Sequence, residues 1–193
     1  SFAPAMTADA YRGAVERVRE YIAAGDVYQV NLSQRFEGAS PLAPADAWLS
    51  LRRVSPAPYG AYIALDDGAI LSTSPERFLS VDAAGFVESR PIKGTAPRGA
   101  TPQEDRQRAE ALAASEKERA ENVMIVDLIR NDLSRVCRPG SVAVPSLCAV
   151  ERFATVIHLT STVTGRLREG AGFADLMRAA FPCGSVTGAP KIR

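Results

Sequence analysis

Lys93 lies between Ile92 and Gly94 in a stretch bounded by Pro91 and Pro97. Glycine there lets another group come close to the backbone, and an amine fixed in such a place and desolvated can serve as a nucleophile. An exposed loop lysine is the plainer reading of the same residues. Glu118 and Glu121 stand three apart in a helical pattern, so their carboxylates leave neighbouring points of one face and repel each other. A hard divalent cation such as magnesium, which takes one or two carboxylates and completes its shell with water and substrate, would relieve that repulsion. A solvated face screened by Lys117 and Arg119 would do so too. His158 is the sole histidine. Strand alternation groups it with Val156, Thr160 and Thr162, opposite Ile157 and Leu159, on a polar side suited to acid–base work, to binding an anion or to a satisfied structural group. Gln29 and Arg35 share the polar side of another alternating stretch, which lines a pocket or faces solvent. Gly184 to Lys191 holds two glycines with Ser185 and Thr187, a cradle of backbone N–H groups for a carboxylate or an ordinary turn. It lacks the GxxxxGK[ST] spacing of a nucleotide-phosphate loop.

The elements that must carry these residues follow from periodicity and punctuation. Tyr11, Val15, Val18 and Ile22 recur at helical spacing after Thr7 and before Gly25, which predicts a helix from Thr7 to Ala24. Val27 to Glu37 alternates as a strand, Pro44 to Val54 reads as a short helix, and Gly60 to Leu65 and Ala69 to Thr73 form a hairpin through Asp66-Asp67-Gly68. A second hairpin joins Arg77–Val81 to Phe86–Ile92 and delivers the chain into PIKGTAPRG at 91–99, read as a loop. Thr101 with Glu104 and Ser115 with Glu118 are successive capping boxes, so two helices follow, the second from Glu116 to Arg135. Strands at 141–150 and 154–167, a helix at 173–181 and a glycine-punctuated loop complete the pattern.

The composition narrows the chemistry further. With 193 residues, 46% hydrophobic, the chain can bury a sizeable core as one domain. Lysine and arginine number 23 against 22 acidic residues, so no overall field draws in nucleic acid or an anionic membrane. Cys137, Cys148 and Cys183 have neither a CxxC spacing nor an even count, which argues against a disulfide framework or a zinc site and fits a reducing cytoplasm. No apolar run approaches the roughly 20 residues needed to cross a bilayer, and no basic-then-apolar leader opens the chain.

Six blocks, AGDVYQVNLSQRF at 24–36, SPERF at 74–78, PIKGT at 91–95, KERAENVMIVDLIRNDLSRV at 117–136, IHLTSTVTG at 157–165 and GSVTGAPK at 184–191, together resemble the chorismate-binding enzymes. They fall in that family's order across nearly the whole chain. The resemblance implies an α+β fold like that of anthranilate synthase component I: antiparallel β-sheets packed as a sandwich, helices outside, and polar strand faces lining a cleft. It makes Glu121 a ligand of a catalytic magnesium that grips the substrate carboxylate, with Glu118 a neighbouring active-site carboxylate. Glu76 becomes the general acid that protonates the departing ring hydroxyl, and His158 the active-site histidine. Gly94, Thr95, Gly184 and Ser185 then hold the carboxylates of chorismate.

Two positions separate the family's reactions. In the family that this chain resembles, isochorismate and salicylate synthases place a lysine where it has Gln29, which cannot activate water. Anthranilate synthases typically read PIAGT, whereas PIKGT with Lys93 resembles the aminodeoxychorismate synthases. There the lysine is thought to attack the ring beside the departing hydroxyl, and ammonia from a glutamine amidotransferase then displaces it, on the way to p-aminobenzoate and folate. Alternatives are 2-amination of the anthranilate type and a fragment that only binds or associates. The family continues past GAPK with a second metal-binding carboxylate, a tyrosine and an arginine, and many members carry a further N-terminal region. The 193-residue chain is therefore expected to be weak or inactive as it stands.

Overall fold

The computed structural model describes residues 2–191. The chain divides into two compact units, Ser1–Arg77 and Phe78–Arg193.

The first unit runs β1 (Ala3–Pro4), α1 (Ala8–Ala23), β2 (Gln29–Val30), β3 (Phe36–Glu37), α2 (Pro44–Val54), β4 (Tyr59–Leu65) and β5 (Gly68–Ser74). Thr7 caps α1 as its sequence predicts, its hydroxyl accepting from Ala10 N at 3.2 Å. β4 and β5 pair antiparallel from Tyr59↔Ser74 to Leu65↔Gly68, so the turn is Asp66-Asp67. The strand expected over 27–37 is not continuous: only its ends are extended ladders, and β3 pairs with β1 over two residues. Between them the chain spends its hydrogen bonds singly, Leu32 O accepting from the Tyr11 hydroxyl and Arg35 O from Ala5 N. Alternation supplies a strand's faces, but a strand also needs a partner of matching length to complete its backbone bonds. Arg35 accordingly ion-pairs with Glu37 at the surface.

The second unit begins at the boundary strand β6 (Arg77–Val81), then β7 (Phe86–Arg90), β8 (Ile92–Pro97), α3 (Pro102–Ala114), α4 (Glu116–Ser134), β9 (Ala143–Arg152), β10 (Val156–Arg166), α5 (Phe173–Ala180), α6 (Gly184–Thr187) and β11 (Gly188–Ala189). β10 is the hub of a five-stranded antiparallel sheet. β9 runs along one side of it, and β7 and β8 follow each other along the other, broken only at Pro91, whose carbonyl accepts from Ser161 N at 3.1 Å. The segment 91–99, expected as a loop, is therefore mostly strand. Its breakers sit where a sheet tolerates them: Pro91 at the seam between strands, Pro97 at the end of β8, and Gly94 in a bulge. The chain after α5, also read as loop, contains the single turn α6.

α3 and α4 begin at the predicted caps, Thr101 Oγ1 accepting from Glu104 N at 3.2 Å and Ser115 Oγ from Glu118 N at 3.4 Å. α4 buries Asn122, Ile125, Val126, Ile129, Asp132 and Leu133, one stripe at helical spacing. That stripe packs with Val87, Val163 and Leu176 in the main core, and Ala109, Leu112, Cys148, Ile157 and Leu159 form a second cluster under α3. Among the described residues of the first unit, none is buried.

Candidate active site

α4 lays its acids where its packing stripe runs out. Glu118 is four residues before buried Asn122, and Glu121 four before buried Ile125, so the face that grips the sheet carries both carboxylates at its N-terminal end. The rotation of the helix is locked by a buried polar network. Asn122 Nδ2 donates to Leu159 O at 3.2 Å, Ser161 Oγ donates to Asn122 Oδ1, and Cys148 N donates to Ser161 Oγ at 2.9 Å. Asn122 and Ser161 are fully buried, and each would be costly without these bonds.

A β-bulge brings Lys93 to those acids. Along β8 and β10, His158 aligns with Thr95, but the next aligned pair is Thr160 with Ile92. Leu159 alone therefore faces both Lys93 and Gly94. In an unbroken strand Lys93 and Thr95 would leave on the same side. The extra residue resets the alternation: Thr95 goes with His158, their Oγ1 and Nδ1 2.9 Å apart, while Lys93 turns to α4. Its Nζ lies 3.1 Å from Glu121 Oε1 and donates to Ser185 O at 3.4 Å, with the side chain 12% exposed. The exposed-loop reading of Lys93 is thus excluded, and the amine is held as an ion pair.

Two glycines permit this closeness. Gly94 has φ +97°, and a Cβ there would lie 3.1 Å from Glu118 Cβ and 3.2 Å from Glu118 Oε2. A Cβ on Gly184 would fall 2.7 Å from Leu128 Cδ2 of α4. Both positions need glycine for contact with α4, whatever their backbone groups bind. Behind Gly184, the Lys191 side chain is 7% exposed and spends its charge inside the fold, donating to Asp132 Oδ2 at 2.5 Å and to Ala180 O at 2.9 Å. At the far end of β8, Arg98 holds Asp105 of α3 at 2.5 Å, and that hydrogen bond, ahead of Gly99 N, keeps the Asp105 carboxyl below its usual range.

His158 packs its ring on Phe153, centroids 5.3 Å apart. Burial pushes its pKa below 6.5, with the nearby Glu151 pulling the other way. The imidazole is therefore neutral at neutral pH, with one nitrogen engaged by Thr95.

The structure brings Lys93, Gly94, Glu118, Glu121 and Ser185 together around the start of α4, sets Gly184 against Leu128 farther along that helix, and joins Thr95 with His158 just across the bulge. Gln29 and Glu76 belong to the first unit. Gln29 Nε2 donates to Asn31 Oδ1 at 3.4 Å, and Glu76, half-buried between β5 and β6, has its N–H bonded to Ser74 Oγ at 3.3 Å. Sequence reasoning missed Asn122 and Ser161. The signal was present in Asn122, a polar residue inside an otherwise apolar helical stripe, and in Ser161, which alternation sets with Ile157 and Leu159.

The sequence profile of the chorismate binding enzyme family matches residues 1–193. The aminodeoxychorismate synthase component 1 of Salmonella typhimurium is 53% identical over 188 residues, 97% of this chain and 41% of that protein. The anthranilate synthase component 1 of Streptomyces coelicolor is 50% identical over 181 residues, 93% of this chain and 35% of that protein. The crystal structure of anthranilate synthase component I from Streptococcus pneumoniae matches with a TM-score of 0.87 and 38% identity, over 99% of this chain and 42% of that one. The chain spans less than half the length of these relatives. Matched along its whole length by the family profile, it belongs to the chorismate binding enzymes.

Proposed function

We propose that the protein containing this chain aminates chorismate to 4-amino-4-deoxychorismate, for p-aminobenzoate and folate synthesis, using ammonia from a glutamine amidotransferase subunit or domain. The observation that carries this reading is the bulge that turns Lys93 inward to the acids of α4. A spectator lysine has no need of a register slip, a left-handed glycine and a close helix contact to place it.

Magnesium fits the residues present. Glu118 and Glu121 are hard oxygen donors, and no group of three or more His, Cys, Asp or Glu side chains forms a metal cage among the described residues. One or two carboxylates, with the rest of the shell left to water and substrate, is the donor set that magnesium accepts. When bound there, the cation supplies an electrostatic hold on a carboxylate of chorismate.

The chain's own groups do the rest. Lys93, as the free amine, attacks the end of the ring's conjugated diene that lies farther from the carbon bearing the hydroxyl. The new C–N bond forms, the ring π-electrons shift, and the C–O bond breaks as Glu76 gives its proton to the hydroxyl, which leaves as water. Ammonia then bonds to the carbon that lost oxygen, and the lysine nitrogen departs with its electron pair. Double displacement leaves nitrogen where oxygen was. Gly94, Gly184, Ser185 and Thr95 offer backbone and hydroxyl donors to the substrate carboxylates, and neutral His158 adds a hydrogen-bonding nitrogen beside Thr95. Gln29, an amide, takes no proton from water, so hydroxylation gains no base from that position.

The competing reading is 2-amination of the anthranilate type, which the 50% identical Streptomyces protein keeps open. The full-length protein incubated with chorismate, magnesium and ammonium, with products separated by liquid chromatography and weighed by mass spectrometry, decides between them. Aminodeoxychorismate is expected, and Lys93→Ala should lower its formation about a hundredfold or more. Anthranilate as the product would overturn the assignment.

A further inference from the structure

Lys93 and a divalent cation want the same carboxylate. Glu121 is one of the two oxygen donors that magnesium would use, yet its Oε1 already holds Lys93 Nζ at 3.1 Å. Both side chains are largely withdrawn from water, 12% and 25% exposed, so the pair is not a loose surface contact that salt would screen away. The amine is also tied to Ser185 O at 3.4 Å. Two positive charges on one carboxylate repel at short range, so full occupation by one weakens the hold on the other.

Resting on the function proposed above, we infer that Glu121 serves two cations in turn: it holds the Lys93 ammonium until magnesium binds and then gives it up. The bulge makes the exchange feasible, because Lys93 lies with Gly94 in the register slip between Ile92 and Thr95 and its side chain can swing without disturbing the aligned pairs of β8 and β10. Glu121 is thus a positioning residue for the nucleophile as well as a metal ligand. Amination would then have an order built into it, with the nucleophile unpaired only where the cation that grips the substrate is already in place. By linkage, whatever Lys93 loses to magnesium, magnesium loses to Lys93.

The test measures magnesium affinity, not turnover. Isothermal calorimetry on the full-length protein without chorismate should show Lys93→Met binding magnesium about tenfold more tightly than the wild type, a coupling of ordinary size between two sites. Lys93→Arg, which keeps a charge opposite Glu121, should bind close to the wild type. In a Glu121→Gln background, Lys93→Met should leave the residual affinity unchanged. Equal affinity in Lys93→Met and wild type, or weaker binding in the variant, would overturn the inference. Either result would leave the 4-amino product assignment standing, since that rests on product analysis. No magnesium binding in any variant would overturn it together with the metal assignment.

Discussion

His158 sets a pH edge on stability at the scale of one residue. Its imidazole titrates below 6.5 in the fold, chiefly because burial disfavours the charged ring. Between that lowered value and 6.5 the unfolded chain binds more protons than the folded one. The contribution is therefore intact above 6.5 and is lost as pH falls through the folded value. Denaturant unfolding of the wild type should show lower stability at about pH 5.5 than at about pH 7.5, and His158→Gln should shrink that drop. An equal drop in the variant would assign the edge to other groups. At this scale the sequence was readable where residue type and spacing carry the chemistry: Lys93 beside Gly94, the acids three apart, the sole histidine on a polar strand face. What it hid were partners supplied from far along the chain. Asn122 is satisfied by Leu159 O, 37 residues on, and Lys191 by Asp132, 59 residues back. No local pattern encodes such pairs, because they exist only once helix and sheet have packed.

Among the elements, β8 is the most consequential and was the least legible. The caps of α1, α3 and α4 were plain in sequence because each cap is a bond within four residues. A bulge is a relation between two strands, and proline and glycine in one of them look like a loop until the partner is known. Gly94→Ala tests what the bulge does. Its φ of +97° strains any side chain, and the new methyl would press on Glu118 at 3.1 Å. A stability loss of about 1–3 kcal/mol is expected, measured as a fall in denaturation midpoint. Activity of the full-length protein should fall further than that loss explains, since Lys93 would be re-aimed relative to Glu121. A variant that loses stability but keeps full kcat/KM would show that the bulge is scaffolding only. The same logic explains the strand expected over 27–37, where alternation was present but the ladder was two residues long.

For the whole molecule, the distribution of the core matters more than its size. Every buried apolar residue lies in the second unit, from Val87 to Ala189, among the described residues. The first unit carries Tyr62, Ile63, Leu65 and Ile70 exposed on its hairpin. Composition could not reveal this asymmetry, because apolar residues are spread along the chain and only packing decides which are covered. Translation turns that asymmetry into a matter of timing. Residues 1–77 leave the exit tunnel before residues 78–193, and among the described residues of that first unit none is buried in the folded chain. At about 10 residues per second the second unit needs roughly ten seconds more to emerge. Chains stalled just after residue 77 should be cleaved readily by added protease, whereas released full-length chains should resist within Phe78–Arg193. Protection of the stalled chains would show that the first unit folds unaided. For those seconds the nascent chain is a client for whatever shields apolar surface at the ribosome, so its yield in a cell should depend on chaperone supply more than its final stability suggests.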